Sequence, residues 1–97
     1  MVYEDDDVIG FDDIRPQAPV HVVIAPKRHI GMVSDLKESD AELVGRLSVA
    51  AKKIAEARGI AGSGYRLVIN CGKDAGQEVR HIHMHLLGGR KLAWPPG

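Results

Sequence analysis

The stretch His81-Ile82-His83-Met84-His85-Leu86-Leu87 decides how this chain is read. Imidazoles and apolar side chains alternate strictly from 81 to 86. In a β-strand successive side chains point to opposite faces. A period of two therefore turns all three histidines one way and Ile82, Met84 and Leu86 the other. On a helix, positions i and i+2 diverge and the same residues would be scattered. The spacing predicts a strand over 79–87, with one face toward a core and an imidazole stripe on the other.

Working outward, Gly72-Lys73-Asp74-Ala75-Gly76 reads as a turn into this strand, and Tyr65–Asn70 as the strand before it. That run is apolar and flanked by glycines, so it is expected to need a neighbour on both sides. The segment Gly59–Gly64 superficially resembles a phosphate-binding glycine loop. Such loops require a strand before and a helix after, so that phosphate meets the helix N-terminus. Here the order is reversed, and that reading is rejected. Upstream, Leu43, Leu47, Ala51 and Ile54 form an apolar stripe at helical spacing. Ser39-Asp40-Ala41-Glu42 has the spacing of a capping box and Gly59 supplies a stop. A helix is predicted over 40–58. Toward the N-terminus, Val20–Ala25 is a β-branched buried strand carrying His21, ended by Pro26 and preceded by the two-proline connector Arg15–Pro19. Val8–Phe11 is a further strand, Val2-Tyr3 an edge, and Asp5–Asp7 a solvated turn between them. The order of β-rich, helix, β-rich predicts one α+β domain over 1–97, an antiparallel sheet with one long helix.

Composition narrows the function classes. The 97 residues carry 13 Lys+Arg against 13 Asp+Glu, a formal net charge of zero. That removes the attraction that drives non-specific binding to nucleic acid or anionic membranes, and neither is expected as a partner. There is no run of 18 apolar residues, and the start is acidic, so neither a membrane span nor a secretion signal is expected. One cysteine, Cys71, cannot form an internal disulfide, which fits a reducing, cytoplasmic setting. The excess lies in histidine, with five in the chain.

Two chemistries fit an imidazole stripe. Neighbouring same-face positions lie about 6.7 Å apart, so two histidines, with His21 or His29, have the reach for a zinc ion, whereas all three of the stripe do not without severe bending. The second chemistry is nucleophilic attack on phosphorus. Neutral imidazole is available at pH 7 and forms a covalent intermediate that divides one displacement into two steps. His83 would attack, with His81 and His85 flanking it as donors to phosphate oxygens. Gly76-Gln77 and Asn70 would add neutral donors, as oxyanion stabilisation requires.

The segment Gly76-Gln77-x-x-x-His81-Ile82-His83-Met84-His85-Leu86-Leu87 resembles the histidine-triad (HIT) signature. The likeness extends through Phe11–Pro19, His21, Pro26–Ile30, the helix and the tail Gly88-Gly89-Arg90 to Trp94-Pro95-Pro96-Gly97. Together these are similar to the Hint branch of purine nucleoside phosphoramidases. The resemblance implies hydrolysis of the P–N bond of adenosine or purine nucleoside 5′-phosphoramidates through a nucleotidyl-histidine on His83, with no metal or cofactor. His85 and Asn70, with the backbone of Gly76, Gln77 and Glu78, would contact the phosphate, and His21 and His81 would support the imidazoles. Asp13 would bind the ribose hydroxyls, and Phe11, Asp12 and Ile14 would line the nucleoside pocket. His29 is expected to cap a short turn. The resemblance also implies a two-fold homodimer binding an AMP-like nucleotide. Two departures stand out: Glu78 replaces a serine that assists the leaving amine, and an N-terminal segment that contributes to the base pocket is expected to be missing. The alternatives are a nucleotide-binding or protein-interacting dimer with weak or no catalysis, and a dinucleoside polyphosphate hydrolase.

Overall fold

Asp5 makes the first turn. Its Oδ1 accepts the backbone N–H groups of Asp7 and Val8, each at 2.8 Å, which folds β1 (Tyr3–Glu4) back on β2 (Val8–Asp12). The two-proline connector cannot join a ladder and leads across to β3 (Val20–Pro26). Two short 3₁₀ turns, Val33–Asp35 and Glu38–Asp40, then deliver the chain to α1 (Ala41–Ala57). After it come β4 (Tyr65–Val68) and β5 (Met84–Gly88). The computed structural model describes residues 1–97 and arranges the strands as one antiparallel sheet in the order β1-β2-β3-β5-β4. The expected α+β architecture is therefore observed. No helix is long and apolar enough to cross a membrane.

The helix packs on one sheet face through the predicted stripe. Leu47, Ala50, Ala51, Ile54 and Ala55 are buried against Val8, Val22, Ile24, Met84 and Leu86. The alanines let the helix axis approach the strands closely, and burying this set from water supplies the main driving force for the fold. After β5, Gly89 takes a φ of +88°, and a Cβ there would lie 2.9 Å from Cβ of Pro19. Only glycine fits that turn without strain.

Three expectations need correction. The helix begins at Ala41, but Ser39 does not cap it. Instead Asp40, which is buried, accepts the Lys37 backbone N–H at 2.9 Å and pairs with Arg28. The Asp40 carboxylate makes no cap bond to the helix either but turns back to the start of the 3₁₀ turn. Its two partners, the Lys37 amide first and then Arg28, hold it below the usual carboxylate range. The final strand begins at Met84 instead of Val79. The stretch before it keeps the alternation, with Ile82 buried and His81 and His83 half-buried. Its backbone, however, bonds to the loop after β3 through Ile82 N–H and the Ile30 carbonyl. Finally, β4 stops at Val68, short of Asn70; within the chain β5 is its one neighbour and its other side is an open edge.

Leu86 is fully buried beneath the helix on the strand that carries the imidazoles. Replacing it with alanine is expected to cost about 2–5 kcal/mol in urea unfolding. A cost below that of a surface substitution would show that the helix does not pack on this strand.

Candidate active site

The face opposite the helix carries the histidines. In the β3–β5 ladder Val23 stands opposite His85 and His21 opposite Leu87, so β3 and β5 bring His21 and His85 side by side across the sheet. Their rings lie 5.1 Å apart, and His85 and His83 lie 5.0 Å apart. A cavity of about 480 Å³ opens over this cluster. Its floor is His83, His85, Val23 and Ala25. The end of β2 and the turn after it supply Phe11, Asp12, Asp13 and Ile14 on one wall, and Asn70, Gly76, Glu78, Val79 and His81 form the other. The volume falls in the range typical of small-molecule sites.

Hydrogen-bond direction fixes the protonation pattern of the neutral rings. The Gln17 backbone N–H donates to His21 Nδ1 at 3.0 Å, so that nitrogen holds a lone pair and His21 Nε2 carries the hydrogen. His21 Nε2 then donates to His85 Nδ1 at 2.8 Å, which leaves the hydrogen of His85 on Nε2. His83 Nδ1 lies 2.8 Å from the His81 carbonyl oxygen. A carbonyl accepts only, so His83 Nδ1 is protonated and Nε2 bears the free lone pair. Two adjacent imidazoles thus present complementary atoms, a nucleophilic nitrogen on His83 and an N–H on His85. Burial, and the like charges that His83 and His21 would carry, lower the pKa of His85, an effect Asp13 partly opposes.

Not every predicted residue faces the cavity. Gln77 does not line it: Oε1 accepts Gly72 N–H at 2.9 Å, and Nε2 donates to Gly31 O at 2.8 Å and Val79 O at 3.1 Å. Its side chain fastens the loop and is not free to meet a phosphate. His81 lines the cavity, yet both its nitrogens are engaged, Nε2 with the Pro26 carbonyl at 2.7 Å and Nδ1 with His29 Nδ1 at 3.0 Å. A donor role toward phosphate for the His81 ring is thereby corrected, because no N–H is left over. His29 does not cap a turn. It joins His81, a pairing the sequence hid because the two are 52 positions apart. His21 lies behind His85 and is buried, and Asp12 is tied to Arg58 at 3.0 Å. Asp13 accepts the Arg15 N–H at 2.8 Å through Oδ1, and its Oδ2 lies 3.5 Å from His21 Nε2. The ligand atoms of Asp13, His21 and His85 lie within 4.8 Å of one another, so these three are the residues placed to hold a metal. The proton between His21 and His85 already accounts for that closeness, and an ion there would have to displace it. Val23, Ala25 and Val79 were not foreseen in the cavity. The first two alternate with core residues of β3 and were legible from its period of two.

Residues 1–92 match the HIT domain model. The chain belongs to the HIT family. An uncharacterized HIT-like protein of Synechocystis sp. is 48% identical over 97 residues, which is 100% of this chain and 84% of that protein. Among solved structures, a HIT family hydrolase from Legionella pneumophila superposes with a TM-score of 0.97 at 52% identity, covering 99% of this HIT domain and 86% of that chain. A histidine triad protein from Clostridium difficile gives 0.92 at 42% identity over 95% and 80% of the two chains. A more distant neighbour, a histidine triad nucleotide-binding protein from Candida albicans, gives 0.77 at 26% identity, with 96% and 71% covered. The five-stranded sheet with its single long helix is the HIT fold.

The lowered pKa of His85 has a consequence for stability. The unfolded chain protonates this histidine near 6.5, while the folded HIT domain resists protonation until lower pH. The unfolded state therefore binds more protons in that interval. This contribution is fully present above the unfolded pKa and is lost as pH falls through 6.5 toward the folded value. The melting temperature is expected to decline on acidification over this window, and His85→Gln to flatten the slope. An unchanged slope in that variant would contradict the assignment.

Proposed function

We propose that this HIT domain hydrolyses the P–N bond of purine nucleoside 5′-phosphoramidates through a nucleotidyl-histidine. The observation that carries the reading is the tautomer of His83, whose Nδ1–H is held by the His81 carbonyl so that the Nε2 lone pair is free beside the cavity. In the first step this nitrogen attacks phosphorus, and the amine leaves with the electron pair of the broken P–N bond and a proton taken from solvent, which the attacking water returns in the second step. His85 Nε2–H donates to a phosphoryl oxygen, where negative charge develops. Water then cleaves the histidine–phosphorus bond, releasing the nucleoside monophosphate and the free imidazole. Asn70 and the Glu78 backbone supply further neutral donors, whereas the predicted Gly76 and Gln77 N–H groups are already bonded to the Lys73 and Gly72 carbonyls. Phe11 and Ile14, exposed at 43% and 93%, offer apolar surface to a purine, and Asp13 an acceptor for ribose hydroxyls. The hydrolase and nucleotide-binding names borne by the Legionella and Candida neighbours agree with this reading.

Charge separates the substrate classes. No lysine or arginine lines the cavity, whereas Asp12, Asp13 and Glu78 do. A nucleoside 5′-phosphoramidate, with one ester and one amide on phosphorus, carries one negative charge there, and neutral donors suffice for it. A polyphosphate chain brings several, which would meet the Asp13 and Glu78 carboxylates with no lysine or arginine in the lining; only Asp12 is offset, by Arg58. The leaving amine, by contrast, enters a field that favours positive charge and proton uptake.

A second copy of the chain completes the reading. β4 is an open edge, Leu67 on its helix-side face is 38% exposed, and Val49 on α1 is 51% exposed. A two-fold homodimer would remove these apolar groups and the unpaired edge from water. Sedimentation at micromolar concentration should give twice the mass of the chain, and a monomer there would exclude the dimer.

The chemistry is tested with one set of substrates. Wild-type protein should release AMP from an adenosine phosphoramidate of a primary amine and form a trappable nucleotidyl-protein, with little turnover of a diadenosine polyphosphate. His83→Ala should lower the phosphoramidate rate by roughly a thousandfold or more while AMP still binds. Full activity in His83→Ala, or preference for the polyphosphate, would overturn the proposal.

A further inference from the structure

His29 is exposed, makes no ion pair, and has a single hydrogen-bond partner, His81. An exposed ring held in one orientation by another imidazole calls for an explanation, because ordering it opposes side-chain entropy. The contacts around His81 supply one. His81 Nε2 lies 2.7 Å from the Pro26 carbonyl, so it must carry the hydrogen. In the neutral ring Nδ1 is then the lone-pair nitrogen, and the partner 3.0 Å away, His29 Nδ1, is the donor. Both sides of the His81 ring are thereby fixed, by Pro26 at the end of β3 and by His29 in the loop that follows.

The same loop fixes the adjoining peptide. The His81 carbonyl and the Ile82 N–H belong to one planar peptide unit. Ile82 N–H donates to Ile30 O at 2.6 Å, and on the other edge the His81 carbonyl accepts His83 Nδ1–H at 2.8 Å. The tilt of this plane therefore sets the direction of the His83 ring and keeps its hydrogen on Nδ1. Strand pairing does not do so here, since β5 begins only at Met84. Three neighbouring groups, the Pro26 carbonyl at the end of β3 and His29 and Ile30 in the loop after it, hold the plane from two sides.

We propose that His29 is a positioning residue for the nucleophile, acting through His81 and its peptide on the aim and tautomer of His83. It does not touch the substrate. The inference rests on His83 being the nucleophile, as proposed above, and predicts a loss confined to the chemical step. Attack on phosphorus demands close alignment of the lone pair, and a small misdirection of the ring slows it with little effect on ligand affinity.

The experiment compares wild type, His29→Ala and His29→Asn. Asparagine places an amide N–H the same number of bonds from Cα as imidazole Nδ1. In single-turnover reactions with an adenosine phosphoramidate, His29→Ala should slow nucleotidylation of His83 by about tenfold, with the AMP dissociation constant and melting temperature unchanged. His29→Asn should recover most of the rate. Nitrogen-15 spectra of the His83 ring should show the Nδ1–H form in wild type and His29→Asn, with an increased share of the Nε2–H form in His29→Ala. An unaltered rate and ring spectrum in His29→Ala would overturn the proposal. So would equal damage in both variants, or a loss that tracks a lowered melting temperature. Should wild-type protein fail to become nucleotidylated, the phosphoramidase reading falls, and the ring spectra still decide whether His29 holds His83.

Discussion

The antiparallel pairing of β3 with β5 is the constraint on which the rest of the molecule depends. Val22 opposite Leu86 and Ile24 opposite Met84 form the floor beneath the helix, while Val23 opposite His85 faces the cavity. One register thus serves core and site together. A slip by one residue would turn imidazoles into the apolar layer and leucine into the cavity, at the cost of burying polar rings without partners. The helix stripe locks that register from one side, so the packing energy of the core is also what places the chemistry.

Within the site, direction of hydrogen bonding matters more than charge. Backbone groups at its margins, the Gln17 N–H and the His81 carbonyl, each permit only one role to the ring they touch. From these the hydrogens of His21, His85 and His83 follow in turn. The outcome is a lone pair on one ring and an N–H on its neighbour, set by the scaffold before any ligand arrives. Burial supports this by lowering the pKa of His85. The neutral overall composition then acquires a counterpart at the site, where one phosphate would be held by dipoles and no lysine or arginine lines the cavity.

Much of this was legible in the sequence because period and burial coincide. The alternation at 81–86 identified which side chains share a face, and the stripe from Leu43 to Ile54 identified the helix and its inner side. Boundaries were less legible. Ser39 offered a local cap, yet Asp40 found a stronger set of partners in Arg28 and the Lys37 amide, and Arg28 comes from a distant loop. The extended segment before Met84 reads like a continuation of the strand, but the neighbour that would pair with it is a loop. Gln77 reads as a free amide donor, and only the fold brings Gly31 within its reach.

By itself the sequence determined the fold class, the helix, the two-faced strand, the family likeness and the identity of the central imidazole. Each of these depends on residue type and short-range spacing, which the covalent chain already fixes. The tertiary structure alone decided which histidines touch: His21 with His85, and His29 with His81. It also decided which ring nitrogens carry hydrogens and which amides are already engaged. Those outcomes depend on the distance and direction of acceptors contributed by segments far apart along the chain, and a linear pattern contains neither.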